Sequence, residues 1–205
     1  MIGVYDYTVI ATYLSLLLGL GGIYAAMHGA VKAAFLCLAF AGLLDAFDGR
    51  IARTKKDRTE TEKRFGIQID SLNDLVCFGV LPAAIGCALN DRSIPFLAAM
   101  SFYVLAALIR LAYFNVMEEE RQDGTSAVRT YYLGMPVTTS CVLALLAYLI
   151  PAYCPALNVV PFYGAALFVY GVLFITPIRV RKPKLPGIIA GACIAAAEFY
   201  ALLHL

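Results

Sequence analysis

Histidine, paired cysteine and charge are all scarce in this chain, and each scarcity closes off a class of function. There are only two histidines, His28 and His204, far apart in sequence. None of the six cysteines forms a CxxC spacing, so a zinc site is not expected. Cys37, Cys77, Cys87, Cys141, Cys154 and Cys193 lie mostly within apolar runs and read as small buried hydrophobes rather than a disulfide frame. Charged residues make up 15% of the chain and fall between apolar blocks rather than within them. No basic stretch precedes the first apolar run, so no cleavable signal peptide is expected and the first helix is expected to be retained. Internal repeats, low-complexity tracts and a separate soluble domain are also missing. The net charge of +2 says little by itself, and no nucleic-acid partner is expected.

What fills the chain is hydrophobic sequence. Apolar residues reach 61% and the mean hydropathy is +0.78, against roughly 45–50% apolar in a soluble domain. Seven apolar segments, at 8–27, 30–48, 67–89, 94–116, 134–152, 157–176 and 185–204, are each near the ~20 residues a bilayer core requires. A helix satisfies its own backbone groups, so helices are the default in lipid. The expected fold class is therefore all-α, a polytopic transmembrane helical bundle. The last segment either spans or lies in the interface.

Orientation follows from the basic residues. Thirteen of the sixteen Lys and Arg fall in three stretches, at 50–65, 118–130 and 178–184, which follow the second, fourth and sixth segments. Lys32 and Arg92 lie on the opposite side, and Arg110 lies within a helix. By the positive-inside rule the protein is expected in the cell membrane with its N-terminus and the basic loops cytoplasmic. The segment Lys55–Arg64 is expected to be a charged connecting loop. Tyr131 and Tyr132 suit interfacial anchors, and Gly134 and Pro136 suit the start of the fifth helix.

The informative residues are carboxylates where carboxylates are costly. Asp45 and Asp48 are at i, i+3 at the end of the second segment, and Asp70 and Asp74 are at i, i+4 early in the third. Each pair lies on one helix face, and a short connection lets the two pairs meet. Four anions in a poorly hydrated space repel one another and resist ionisation. A divalent cation relieves both problems, and hard oxygen ligands select Mg²⁺, Mn²⁺ or Ca²⁺ over zinc. Intramembrane ionisable residues read as functional by default. Gly49 and Ala52 share the face of Asp45 and Asp48, where small residues either admit a ligand close to the backbone or serve helix packing. Arg53, one turn beyond Gly49, suits a phosphate, though a solvated helix-end arginine is equally ordinary.

The pattern Asp45-x-x-Asp48-Gly49-x-x-Ala52-Arg53, followed by Gly66-x-x-x-Asp70-x-x-x-Asp74, resembles the eight-residue signature of the CDP-alcohol phosphotransferases. The gap between Arg53 and Gly66 is a few residues longer than the usual form. FGIQIDSLNDLVCFGVLPA (65–83), IRLAYFNV (109–116) and YYLGMPVTTS (131–140) are similar to segments of the family's phosphatidylserine-forming members. The resemblance covers residues 5–140 well.

The resemblance implies a six-helix membrane core with one additional C-terminal span, usually homodimeric, whose site opens to the cytoplasm. Residues 1–178 would form the catalytic membrane domain, and 179–205 a basic loop and C-terminal hydrophobic helix. Asp45, Asp48 and Asp70 would hold Mg²⁺ or Mn²⁺. Asp74 would act as general base and touch a second metal. Gly49, Ala52, Arg53 and Gly66, with Thr12, would shape the site for the CDP-linked lipid. The reaction implied transfers a phosphatidyl group from CDP-diacylglycerol to the hydroxyl of L-serine. Arg110, deep in the fourth helix, would bind the acceptor carboxylate or the lipid phosphate, with an ion pair to one of the aspartates as the alternative. Asn115 is a second acceptor candidate. Glycerol 3-phosphate or inositol phosphate are rival acceptors. A cation transporter and a non-catalytic membrane scaffold are the rivals of a different class. The position of the carboxylates near helix ends, away from mid-bilayer, argues against transport.

Overall fold

The first helix is inside out relative to a helix of a water-soluble protein. Helix α1 (Tyr7–Met27) buries Thr8, Thr12, Ser15, Gly19, Gly22 and Ala26 and exposes Ile10, Leu14, Leu17, Leu20, Tyr24 and Met27. Small residues face the bundle and large apolar ones face outward, the arrangement of a helix packed among helices in lipid. On α5 (Ile94–Gly124), Leu97, Leu105, Leu108 and Ile109 also point out, while Phe96, Met100, Tyr103 and Leu111 are buried with Ala106 and Ala107. The chain is a membrane protein with an all-α bundle fold.

The computed structural model describes residues 2–89, 93–124, 131–181 and 185–205. Arg92, Arg129, Lys182 and Lys184, used above for orientation, lie outside the described residues. Seven helical rods occur among those described, matching the seven expected segments in order. They are α1, α2 (Val31–Ala52), a continuous rod from Glu60 to Ala88, α5 (Ile94–Gly124), α6 (Ser140–Tyr153), α7 (Val159–Ile175) and α8 (Leu185–His204). The third rod has three parts: α3 (Glu60–Asp74), a π-helix (Leu75–Val80) and α4 (Leu81–Ala88). Helix α1 packs along α2, α5 along α7, and α8 against α2 and α6. The shared core is built from Phe35, Leu38, Phe78, Leu81, Ile85, Tyr103, Tyr163 and Leu167.

Four boundaries differ from expectation, one of them the end of α5, which runs to Gly124 rather than 116. The third rod starts at Glu60 rather than 67, so half of the expected loop Lys55–Arg64 is helix. The cause is a capping box. The Thr59 hydroxyl accepts from the Glu62 amide at 3.2 Å, and the Glu62 carboxylate accepts from the Thr59 amide at 2.7 Å, pairing two otherwise orphaned donors. Helix α2 runs on to Ala52, past the expected end at 48. The fifth helix starts later than 134, because Gly134 is left-handed (φ +75) and Pro136 is extended, and a 3-10 turn over Val137–Thr139 precedes α6. A side chain at Gly134 would also meet the Phe174 carbonyl at 2.7 Å.

A two-stranded antiparallel ribbon was not expected. Strand β1 (Tyr131–Leu133) pairs with β2 (Arg179–Arg181), with Tyr132 opposite Val180. It ties the connection before α6 to the one after α7.

Glycines mark the close contacts. A Cβ at Gly22 would lie 2.8 Å from a Leu81 methyl and 2.9 Å from the Cys37 Cβ, whereas one at Gly21 meets nothing within 4 Å. Gly22→Ala is expected to lower the thermal midpoint in detergent, at a cost of about 1–3 kcal/mol for overpacking. Gly21→Ala should leave the midpoint unchanged or raise it. Equal midpoints for the two variants would contradict the packing described.

Candidate metal centre and nucleotide cleft

The carboxylates meet where α2 ends and α3 passes it. Asp45, Asp70 and Asp74 each offer an oxygen within 4.8 Å of the others. With metal–oxygen bonds of about 2.0–2.6 Å, ligands across a single ion are separated by up to about twice that length, so one ion fits the set. Asp48 stands beside this group, with its carboxyl against that of Asp70, as the carboxyl of Asp45 lies against that of Asp74. Thr12 Oγ1 donates to Asp48 at 3.4 Å. Asp48 and Asp74 are buried, and Asp70 Oδ1 and Asp74 Oδ1 have no hydrogen-bond partner. Abutting carboxyl groups with orphaned buried oxygens fit a hard divalent cation, and the all-oxygen donor set suits Mg²⁺ or Mn²⁺ rather than zinc.

Side-chain bonds fix the rod that carries Asp70 and Asp74. Asn73, buried, donates to Ser15 Oγ on α1 at 3.2 Å, and Cys77 Sγ donates to Asn73 Oδ1 at 3.3 Å. Ser71 donates to Asn115 Oδ1 on α5 at 2.9 Å. Asn115 is thus held against α3 one turn before Asp74.

A cleft of about 210 Å³ opens beside the centre, lined by Thr8, Thr12, Asp48, Gly49, Ala52, Arg53, Arg58, Lys63, Gly66 and Asp70. All five residues expected to shape the nucleotide site therefore line one space: Thr12, Gly49, Ala52, Arg53 and Gly66. The geometry also separates the two readings of Gly49. A Cβ there would meet only Arg53 Nη1, at 3.8 Å, so no packing within the chain requires glycine, and its smallness keeps the cleft open.

Arg58 and Lys63 are cleft residues that the sequence did not single out. Arg58 Nη2 donates to the Glu62 carbonyl at 3.1 Å, while its buried Nε has no hydrogen-bond partner. The Arg58 guanidinium overhangs Gly66, where a Cβ would approach it to 2.7 Å. No sequence signal marked these two among the many basic residues of the 50–65 stretch.

Arg110 is placed elsewhere. It is buried, with its guanidinium 5.0 Å from the Phe114 ring centroid. It lines a mainly apolar cavity of about 250 Å³ with Tyr113, Leu133, Gly134, Phe174 and Thr176. Asn115 lines a third cavity with Glu60, Lys63, Arg64 and Glu118. The structure does not bring Arg110 and Asn115 into the cleft that holds Asp48 and Asp70.

A staple joins the start of α1 to the α2–α3 connection and the first turn of α3. Lys55 Nζ lies 2.8 Å from Asp6 Oδ2 and 2.8 Å from Glu62 Oε1. Asp6 also caps α1 by accepting from the Thr8 amide at 3.0 Å. The hydrogen bond from Lys55 holds the Asp6 carboxyl down at about 2, against an ordinary 3.8, and lowers Glu62 too, while the Lys55 ammonium is raised by both partners.

The fold and this centre define a polytopic membrane protein with an acidic, cation-ready site beside a basic cleft. Comparison with known proteins resolves the class further. The CDP-alcohol phosphatidyltransferase family pattern matches residues 8–176. The chain belongs to that family. It is similar to the CDP-diacylglycerol–serine O-phosphatidyltransferase of Saccharomyces cerevisiae, 33% identical over 147 residues, covering 66% of this chain and 51% of that protein. The protein of that name from Mycobacterium leprae is 38% identical over 134 residues, 64% of this chain and 42% of its own length. The one from Helicobacter pylori is 33% identical over 172 residues, 80% and 67%. The chain thus spans about half the length of the first two.

The staple generates a pH prediction. Asp6 has a folded-state value below its unfolded one, so its contribution is present above about pH 4 and is lost as pH falls toward 2. Amide exchange at Thr8 and Val9, corrected for intrinsic rates, should accelerate across that window in the wild type. In Lys55→Met it should already be fast at neutral pH. Protection unchanged by the substitution would mean that the staple does not hold the α1 terminus.

Proposed function

We propose that this protein transfers a phosphatidyl group from CDP-diacylglycerol to the hydroxyl of L-serine, releasing CMP. The observation that carries the chemistry is the set of Asp45, Asp48, Asp70 and Asp74 gathered beside the basic cleft. The names of the similar proteins support serine as the acceptor.

In this reading Asp45, Asp48 and Asp70, with Asp74, hold Mg²⁺ or Mn²⁺. The bound ion supplies charge neutralisation at the pyrophosphate and at the departing CMP. Thr12, Gly49, Ala52 and Gly66 shape the space for the nucleotide, and Arg53, Arg58 and Lys63 meet its phosphates as charge-assisted donors. Asp74 takes the proton of the serine hydroxyl. The hydroxyl oxygen bonds to the lipid-side phosphorus as that phosphorus parts from the CMP oxygen. Positioning and electrostatic stabilisation dominate such transfers, so a rigid α2–α3 frame suits the task. Asn115 and Arg110 serve the acceptor from outside the nucleotide cleft, each from its own cavity. The Ser71–Asn115 bond supports this by placing Asn115 a turn from Asp74.

The site faces the cytoplasm, as the concentration of basic residues around the α2–α3 turn supports. The protein works as a homodimer, with residues 1–178 as the catalytic unit and 179–205 appended to it.

The test is CMP release by purified, detergent-solubilised protein given CDP-diacylglycerol, Mn²⁺ or Mg²⁺, and serine as sole acceptor. Serine-dependent release abolished by a chelator is expected. Asp74→Asn should abolish turnover while the cleft still binds the CDP-lipid. Release with glycerol 3-phosphate or inositol phosphate but not serine would keep the chemistry and overturn the acceptor. Wild-type turnover in Asp74→Asn would overturn the base.

A further inference from the structure

Asp74 is the last residue of α3, and the turn after it is not α-helical. Leu75–Val80 is a π-helix, in which the Leu81 amide donates five residues back to the Val76 carbonyl. Such turns carry one extra residue and are frequent at functional sites. The cause is legible in Pro82. In an α-helix the Phe78 carbonyl would receive the amide of residue 82, and proline has none.

Side chains from two other helices take up that carbonyl. Tyr103 Oη on α5 donates to it at 2.5 Å, and Ser140 Oγ at the start of α6 reaches it at 2.9 Å. The Ser140 hydroxyl also has the Val137 carbonyl at 2.7 Å, so Tyr103 is the principal donor. Both residues are completely buried. On the other flank of Asp74, Asn73 is tied to Ser15 of α1 and to Cys77 within the π-helix. The turn that sets the direction of Asp74 is thus clamped from α1 before it and from α5 and α6 after it.

We propose that Tyr103 and Ser140 are positioning residues for Asp74: by holding the Phe78 carbonyl they fix the π-turn, and with it the place of Asp74 in the carboxylate set. The proposal rests on the reading of that set as a divalent-cation site. The structure contains its own control. Tyr163 Oη, equally buried, donates to the Pro82 carbonyl at 2.9 Å, on the same rod just beyond the π-turn. Tyr163→Phe removes a comparable bond without touching the turn.

The experiment measures Mn²⁺ binding by electron paramagnetic resonance and serine-dependent CMP release on the detergent-solubilised full chain. The variants are Tyr103→Phe, Tyr103→Phe/Ser140→Ala, Ser140→Thr and Tyr163→Phe, each with its thermal midpoint recorded. Outer-shell partners bonded directly to metal ligands typically matter by about 10–100-fold, and Tyr103 acts one step further out, through the Phe78 carbonyl, at the low end of that range. Tyr103→Phe and the double variant should therefore weaken Mn²⁺ binding about tenfold or more and lower kcat alongside, with KM for the CDP-lipid little changed. Ser140→Thr, which keeps a hydroxyl, and Tyr163→Phe should stay near wild type in Mn²⁺ affinity even where the midpoint drops. Wild-type Mn²⁺ affinity in Tyr103→Phe, or an equal loss in Tyr163→Phe, overturns the proposal. If wild-type protein binds Mn²⁺ but releases no CMP with serine, the acceptor reading fails while the Mn²⁺ comparison still decides this one.

Discussion

Four carboxyl groups pressed together at one end of an apolar bundle are the constraint on which the rest depends. Like charges at this separation repel, and burial removes the water that would screen them. The chain nonetheless gathers Asp45, Asp48, Asp70 and Asp74 from two different helices, with Asp48 against Asp70 and Asp45 against Asp74. That arrangement must be imposed by bonds elsewhere. The Thr59–Glu62 capping box starts α3 early enough to carry Asp70 past the end of α2. Asn73 bonded to Ser15 anchors the rod to α1, and Thr12 reaches Asp48 from the same helix. The clamped π-turn follows directly after Asp74. Apart from the exposed capping box, these are polar interactions inside an apolar bundle, where an unmade bond is costly.

Glycine use divides along the same line. At Gly19 and Gly22 an added Cβ would strike Cys77 and Leu81, so these positions let α1 lie close to the third rod. At Gly49 the added atom would meet only the tip of Arg53, and at Gly66 only the flexible end of Arg58. Two glycines thus serve packing, and two keep the cleft and its guanidinium groups free of backbone-borne bulk. The same residue type has two physical roles, separated by what a methyl group would touch.

Much of this was legible in sequence, and the gaps have physical causes. Seven apolar segments appear as seven rods, because backbone satisfaction in lipid leaves few alternatives to helix. The i, i+3 and i, i+4 spacings placed both aspartate pairs on faces that do meet, and the small and basic residues between them do line one cleft. Spacing cannot say which carboxylate turns which way. The tightest set proves to be Asp45, Asp70 and Asp74, with Asp48 beside Asp70. The capping box was readable as Thr59-x-x-Glu62, but the charge density of Lys55–Arg64 made it look like a loop. Strands of three residues carry no periodicity, so the β1–β2 ribbon left no trace. The π-turn had one signal, Pro82 four residues after Phe78, whose meaning depends on hydroxyl groups from α5 and α6. Arg58 and Lys63 gain their significance only from where the α2–α3 turn puts them.

The central claim is that the aspartates of α2 and α3 exist to share a divalent cation. It is tested most directly by anomalous diffraction from crystals of the protein grown with Mn²⁺. The account predicts a manganese peak within about 2.0–2.6 Å of oxygens from Asp45, Asp70 and Asp74, vanishing in crystals of Asp70→Asn. An empty carboxylate cluster at saturating Mn²⁺, or a peak only at surface acids such as Glu118 and Glu119, would contradict it.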